Sequence, residues 1–455
     1  MSADKKRLAA GTRVAVIGGG WAGCAASVEL ASSGASVTLF EAARTLGGRA
    51  RAVRAREALL DNGQHILLGA YNETLGLLRR VGVDPRDALL RLPLQMRYPP
   101  DAGLMDFVAP RLPAPLHMLV ALLRARGLDR EDKLALARFT TSARWMQWGL
   151  NTDCSVAELL ERFGQTTRIT RLMWRPLCLA ALNTPPERAS AQVFLAVLRD
   201  SLGAKRKASD MLLPRVLLDE LFPQAAQRFV EARGGRVLCG ARVDALSQHG
   251  ARWQVTAGGD AMDFDASFDA LVLATPAWQS AALLRPLPAM DAAAAQLDAF
   301  EYEPISTVYL QYAPDLRLPL PFCALADDPA NGDWGQFVFD RARLGPGQDG
   351  LLAVVVSAAG DAAALGQDAL ALAVARQLAA SFGQPALAAP RWTRVLTEKR
   401  ATFACTPGLA RPDNATALPG LFLAGDYTAG DYPATLESAV RSGLAAARLA
   451  AGARR

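Results

Sequence analysis

The sequence predicts an α/β protein in which a parallel-sheet, dinucleotide-binding domain is joined to an α+β domain built on an antiparallel sheet. Three stretches predict it. An apolar run into a glycine-rich turn, Val14-Ala-Val-Ile17 then Gly18-Gly-Gly20-Trp-Ala-Gly23, opens a small-residue helix that closes at Gly34. A second apolar run, Ser36-Val-Thr-Leu-Phe40, ends on the acid Glu41. Far downstream, Leu421-Phe-Leu-Ala-Gly425-Asp426 has the pattern of a buried strand running into another acid.

Each glycine of the first turn has a use. Gly18 makes the tight turn, Gly20 lets backbone amides approach a pyrophosphate at the helix N-terminus, and Gly23 lets the helix pack on the strand. Glu41, roughly 20 residues on, is placed to meet ribose hydroxyls. The loop that follows, Leu46-Gly47-Gly48-Arg49, suits closer wrapping of a pyrophosphate than a nicotinamide site needs. It resembles the second fingerprint of FAD enzymes of the amine oxidase and phytoene desaturase superfamily. Asp61-Asn-Gly-Gln-His65 is similar to the flavin-facing segment of those enzymes. The resemblance implies FAD, a glutathione-reductase-type βαβ unit with a β-meander, and cofactor contacts from Trp21, Ala22, Ala42, Gly48, Arg49, Asn62, Gly63 and Gln64.

Composition bounds the rest. A chain of 455 residues, 51% apolar and 21% charged, is an ordered globular protein long enough for two or three domains. The net charge of +6 is spread along the chain, with no basic tract to suggest nucleic acid, so anionic lipid is the better-suited partner. Cys24, Cys154, Cys178, Cys239, Cys323 and Cys405 are scattered without a C-x-x-C pair, which points away from a disulfide framework or a metal site and toward reduced cytoplasm. Met1 to Arg7 leads into the first strand with no apolar leader segment, and no run of 18 apolar residues predicts a spanning helix.

In chain order, Tyr71 to Arg80 has helical spacing and is expected to begin the second domain. Leu92 to Pro115, rich in proline, predicts strands or loops. Leu116 to Leu123, followed by Arg124 and Arg126, is an apolar helix with a basic end, suited either to burial or to dipping into one leaflet. His117 within it is expected to be a core histidine with its hydrogen bonds satisfied. Helices are predicted over Arg138 to Gly149 and Val156 to Phe163, with Trp145 and Trp148 lining a cavity or packing in the core. Near Asp210 the chain is expected to return to the first domain. There the pattern predicts a helix from Leu213 to Leu221 and strands at Gly234 to Leu238 and Ala241 to Leu246. A hairpin follows, of Arg252 to Thr256 and Ala261 to Phe264 across Gly258-Gly259, then a strand from Asp269 to Thr275. Thr307 to Tyr312, Gly335 to Phe339 and Leu351 to Ser357 read as antiparallel strands under a helix from Asp368 to Phe382. No second GxGxxG follows a strand, so electrons are expected from an external donor. The expected division is 1–70, 205–280 and 395–455 for the FAD domain, and 71–204 and 281–394 for the substrate domain.

The FAD reading adds Val243, Thr275 and Gly425 to the cofactor contacts. It gives Asp426 a ribityl hydroxyl and places Thr435 and Leu436, opening the last helix, against the flavin pyrimidine, where the helix dipole favours reduced flavin. Asp61-Asn-Gly-Gln-His-Ile-Leu-Leu-Gly-Ala-Tyr71, Trp174-Arg-Pro-Leu177, Leu182-Asn-Thr184 and Gly425-Asp-Tyr-Thr428 resemble, more narrowly, the hydroxysqualene dehydroxylases. That likeness implies hydride transfer from reduced flavin to the allylic cation left when hydroxysqualene loses its hydroxyl, giving squalene. His65 and Asp431 are the candidates to protonate the leaving oxygen. Other readings stay open. A carotenoid-type desaturase would run hydride the other way. An amine oxidase is disfavoured by Thr435 at the flavin-facing aromatic position and by the absence of Lys between Ala281 and Thr397. A prenyl carrier of the GDI or escort type has no need of the intact glycine and acid set.

Overall fold

The computed structural model describes residues 11–55, 58–203, 205–258 and 264–452. The leader region read at Met1 to Arg7 lies outside them.

Five strands form an all-parallel sheet in the order Arg236–Cys239, Ser36–Glu41, Arg13–Ile17, Ala270–Leu273, Leu421–Leu423. A parallel sheet covered on both faces needs strands that are apolar throughout, and Val14 to Ile17 meets that need by facing two cores alternately. Val14 and Val16 pack with Val37 and Leu39 beneath the first helix, Trp21–Ser32, and the last, Leu436–Gly452. Ala15 and Ile17 face the other way, toward a three-stranded meander of Arg242–His249, Arg252–Gly258 and Phe264–Phe268. The two helices lie so close that a Cβ on Gly443 would stand 2.2 Å from the Ala22 carbonyl oxygen.

A second five-stranded sheet is antiparallel, in the order Phe322–Ala324, Phe337–Asp340, Leu351–Val356, Tyr302–Gln311, Trp392–Phe403. One face, with Val308, Leu310, Val338 and Val354, is sealed by the helix Gln367–Phe382. The opposite face, with Ile305, Phe337, Phe339 and Val355, looks toward the parallel sheet across a cavity.

Several elements differ from expectation for physical reasons. The helix Asn72–Arg80, expected to open the second domain, packs on the last helix, where the buried Glu437 carboxylate accepts from the Glu73 and Thr74 amides and the Thr74 hydroxyl. The expected break at 394 falls inside the long strand Trp392–Phe403. Leu213 and Pro214 belong to a strand, Met211–Pro214, paired with Leu67–Leu68 and Leu89–Leu92, and helix resumes only at Leu218. Of the hairpin strand expected at Ala261 to Phe264, residues 261–263 lie outside the described residues, and a strand is described over Phe264–Phe268. The helix expected from Arg138 begins at Arg130, because Asp129 and Asp132 form a reciprocal capping box. Trp145 is 86% exposed, so it lines no cavity, while Trp148 is buried. His117 is fully buried, but neither ring nitrogen has a hydrogen-bond partner, contrary to the satisfied histidine expected.

Candidate functional site

A cavity of about 850 Å³ lies between the two sheets. The carboxyl ends of four parallel strands line it: Ile17 with Gly18, Phe40 with Glu41, Ala274 with Thr275, and Gly425 with Asp426. This is where an open α/β sheet receives its ligand.

The glycine turn explains its own composition. Gly18 has φ +103°, and a Cβ there would stand 2.6 Å from the Ala274 carbonyl oxygen. A Cβ on Gly23 would stand 1.9 Å from the Gly18 carbonyl oxygen, so Gly23 sits behind the turn, supporting it without lining the cavity. Gly20, Trp21 and Ala22 line the cavity at the helix N-terminus, with the Trp21 indole donating to Ala50 O at 3.2 Å. The second glycine loop lies along the first, since Gly47 N donates to Gly19 O at 2.8 Å and Gly48 faces the cavity. Together they leave a groove walled by backbone, which a phosphate can approach.

Acids bracket that groove. The Glu41 carboxylate accepts from Gly19 N at 2.6 Å and Ala43 N at 2.7 Å, beside Ala42 at the rim. Asp426 takes both oxygens to Arg49 Nη2 at 2.7 Å, and Arg49 also donates to Ala401 O. Burial opposes the charge on Arg49, but Asp426 more than offsets it and holds the guanidinium pKa above its ordinary value. Val243 and Thr275 line the middle of the cavity, and Thr275 Oγ1 is 2.8 Å from Ser280 Oγ. Thr435 and Leu436 line it where the last helix begins, with Thr435 Oγ1 accepting from Ser438 N.

The segment Asn62-Gly63-Gln64-His65 crosses the cavity between the two sheets. It is braced from behind. The buried Arg341 donates to Gln64 Oε1 at 2.8 Å, Gln64 donates to the Tyr309 hydroxyl, and that hydroxyl donates to Asp61 O. Arg341 also stands 3.7 Å from the Asp61 carboxylate. Burial pushes Asp61 up to about 6 even though Arg341 pulls it down. His65 Nδ1 lies 3.1 Å from Gly63 O, and burial holds its pKa below the ordinary value. A neutral ring donating through Nδ1 presents Nε2 as an acceptor, which suits it poorly to giving up a proton.

Asp431 is not brought to the site. It is exposed and pairs with Arg199 at 3.1 Å, because the chain swings outward before the last helix. Sequence reasoning missed Arg341, Tyr309 and Glu398, which come from the antiparallel half and carry no local motif. Of the stretches around Trp174 and Asn183, the first is core packing, while Asn183 both lines the cavity and braces the chain. Trp174 is buried against Phe139, and Asn183, left-handed at φ 48°, caps a helix and bonds Glu303 O, Thr402 Oγ1 and Ala358 N.

The residues present fit a flavin dinucleotide: a backbone cradle that a Cβ would fill, acids at both ends, and a helix N-terminus beside the far wall. Residues 21–451 match the family described as flavin containing amine oxidoreductase. The chain belongs to that family. A hydroxysqualene dehydroxylase of Rhodopseudomonas palustris is 31% identical over 97% of this chain and 99% of its own. A 15-cis-phytoene desaturase of Synechococcus elongatus is 25% identical over 95% and 94%. Cyclohexylamine oxidase of Brevibacterium oxydans shares the fold, with a TM-score of 0.64 at 17% identity over 97% of this chain and 99% of that one. The protein is an FAD-dependent oxidoreductase.

Proposed function

We propose that this oxidoreductase removes the hydroxyl of hydroxysqualene reductively, giving squalene. The observation that carries the proposal is the joining of two unlike walls in one cavity: a polar backbone cradle on the parallel sheet, and Ile305, Phe337, Phe339 and Val355 on the antiparallel one. A long isoprenoid alcohol needs an apolar wall, and the R. palustris relative bears the name of this reaction.

When bound, reduced FAD supplies the hydride. In our assignment Gly18, Gly20, Gly48 and Arg49 hold the pyrophosphate, Glu41 the ribose and Asp426 the ribityl chain. The first turn of the last helix, at Thr435 and Leu436, turns its positive end toward the flavin and favours negative charge there. The apolar wall excludes water from the allylic cation, so that only hydride quenches it. The segment from Asn62 to His65, braced by Arg341, fixes the distance between the two walls.

The apolar substrate calls for access from a membrane. We assign the docking face to the helix Leu116–Arg124, where Leu116, Leu119 and Leu123 are exposed, and place the protein at the inner face of the cytoplasmic membrane. Among the described residues no helix is long and apolar enough to cross it.

The test is anaerobic. Protein with chemically reduced flavin receives hydroxysqualene while flavin reoxidation and product mass are followed. Squalene forming in step with flavin oxidation is the expected result. Flavin that stays reduced over an unchanged alcohol sinks the proposal and turns attention to desaturation, assayed with oxidised FAD and a polyene.

A further inference from the structure

Dehydroxylation needs a proton at the leaving oxygen, and the two candidates singled out in the sequence are poorly suited to supply it: Asp431 is outside the cavity, and His65 turns Nδ1 to Gly63 O while burial lowers its pKa. The cavity holds four carboxyl groups among the described residues, Glu41, Asp244, Glu398 and Asp426. Two are held closely, and the third, Asp244, is solvent-exposed beside its cation. Glu41 accepts from two backbone amides, Asp426 is bidentate on Arg49, and Asp244 pairs with Arg242 at 3.4 Å. Glu398 has only long contacts, to Asn62 Nδ2 at 3.5 Å and Arg400 N at 3.4 Å.

Its place in the fold matters more than its freedom. On the strand Trp392–Phe403, Glu398 stands directly opposite Ile305, so the two project from the same face of the antiparallel sheet. That face supplies Ile305, Phe337, Phe339 and Val355 to the cavity, and Glu398 is the one acid it supplies among the described residues. Asn62, which it touches, opens the segment that crosses between the walls. The nearby cation, Arg49, is already paired with Asp426.

We propose that Glu398 is a catalytic residue, the acid that protonates the substrate hydroxyl; this rests on the dehydroxylation reading. The proton passes from the Glu398 carboxyl to the hydroxyl oxygen, the C–O bond breaks with its electron pair going to water, and the carboxylate left behind faces the allylic cation. That carbon then receives hydride from reduced flavin, which is oxidised by two electrons. Alcohol, proton and hydride become hydrocarbon and water. The same carboxyl therefore serves both halves of the step, as donor and then as counter-charge.

The experiment compares wild type with E398Q and E398D under single turnover, using hydroxysqualene and its allylic trifluoroacetate ester, which departs without a proton. Flavin content is measured first. E398Q is expected to bind FAD normally, to slow flavin reoxidation by the alcohol about 100-fold or more, and to reduce the ester within about threefold of wild type; E398D recovers part of the alcohol rate. A second readout needs no turnover. Infrared difference spectra of the oxidised protein on adding alcohol should show a carboxylic acid band that E398Q lacks. An E398Q variant as fast as wild type on the alcohol, or one equally slow on alcohol and ester, overturns the role while leaving dehydroxylation standing. A wild type that binds flavin yet leaves the alcohol untouched overturns dehydroxylation, and this role with it.

Discussion

The two walls of the cavity are built on opposite principles. The parallel wall is made largely of backbone: glycines that admit no side chain, strand ends, and the acid Glu41 fixed by two amides. The antiparallel wall is made of side chains on a regular sheet face, with one acid among apolar residues, as far as the described residues go. A backbone wall is intolerant, because any added atom meets main chain. A side-chain wall tolerates substitution of its apolar members and changes function when its few polar groups change.

The largest effect expected anywhere tests that intolerance. Gly23→Ala puts a methyl carbon 1.9 Å from the Gly18 carbonyl oxygen, where neither the helix nor the strand can give. It should cost more than about 4 kcal/mol and abolish flavin retention. A variant that purifies yellow, with an unfolding midpoint near wild type, would break the contrast between the walls.

Next in size is the brace that ties the walls together. Arg341→Ala leaves the buried Asp61 carboxylate without its cation and Gln64 without its donor, at an expected cost of about 3–5 kcal/mol in urea unfolding. The loss should depend on pH. Asp61 is already held up to about 6 against an ordinary 3.8, so the folded state binds more protons than the unfolded between those values. Stability from this group is therefore full below pH 4 and lost as pH rises through 6. Removing Arg341 takes away the influence that lowers Asp61, so the variant should recover most on acidification from neutral pH. A deficit that stays constant from pH 7 to 5 would show that Asp61 is not the cause.

Those predictions also mark what sequence made legible. Gly18, Gly20, Gly23, Glu41, Arg49 and Asp426 were readable because a backbone cradle demands fixed residues at fixed spacing, and spacing is what a sequence displays. All of them but Gly23 line the cavity. Arg341 and Glu398 were not readable. Each makes its contact far along the chain, 277 positions from Gln64 in one case and 336 from Asn62 in the other. Asp431 shows the converse, a residue close in sequence to the last helix that the intervening turn carries to the surface. Strand Trp392–Phe403 escaped notice because its burial follows no clean alternation of two.

A smaller effect is expected at the Asp426 end of the cavity. Asp426→Ala removes a bidentate partner from Arg49, and FAD should bind about 10- to 100-fold more weakly, measured by flavin titration of stripped protein. Undiminished affinity would mean that Asp426 serves Arg49 alone. Asp426→Asn, which keeps one acceptor, should fall between.

The smallest effect separates the cavity from its surroundings. Ten large apolar residues are exposed among the described residues, and six of them, Leu112, Leu116, Leu119, Leu123, Leu134 and Trp145, lie between positions 112 and 145. Singly exposed leucines are ordinary, but this concentration is not. Leu134 and Trp145 share a helix with Arg138 and Arg144, and Lys133 reaches the Leu123 carbonyl, so the two helices present apolar and basic groups on neighbouring surfaces. Such a face suits anionic lipid. Leu119→Ser should weaken sedimentation with anionic vesicles about tenfold, in line with losing one inserted leucine. Leu372→Ser, comparably exposed but on the helix behind the antiparallel sheet, should change nothing. Both variants should keep wild-type turnover with substrate dissolved in detergent, because neither residue lines the cavity. If Leu119→Ser and Leu372→Ser bind vesicles alike, the apolar face has another partner, and the membrane route to the cavity falls while the cavity chemistry stands.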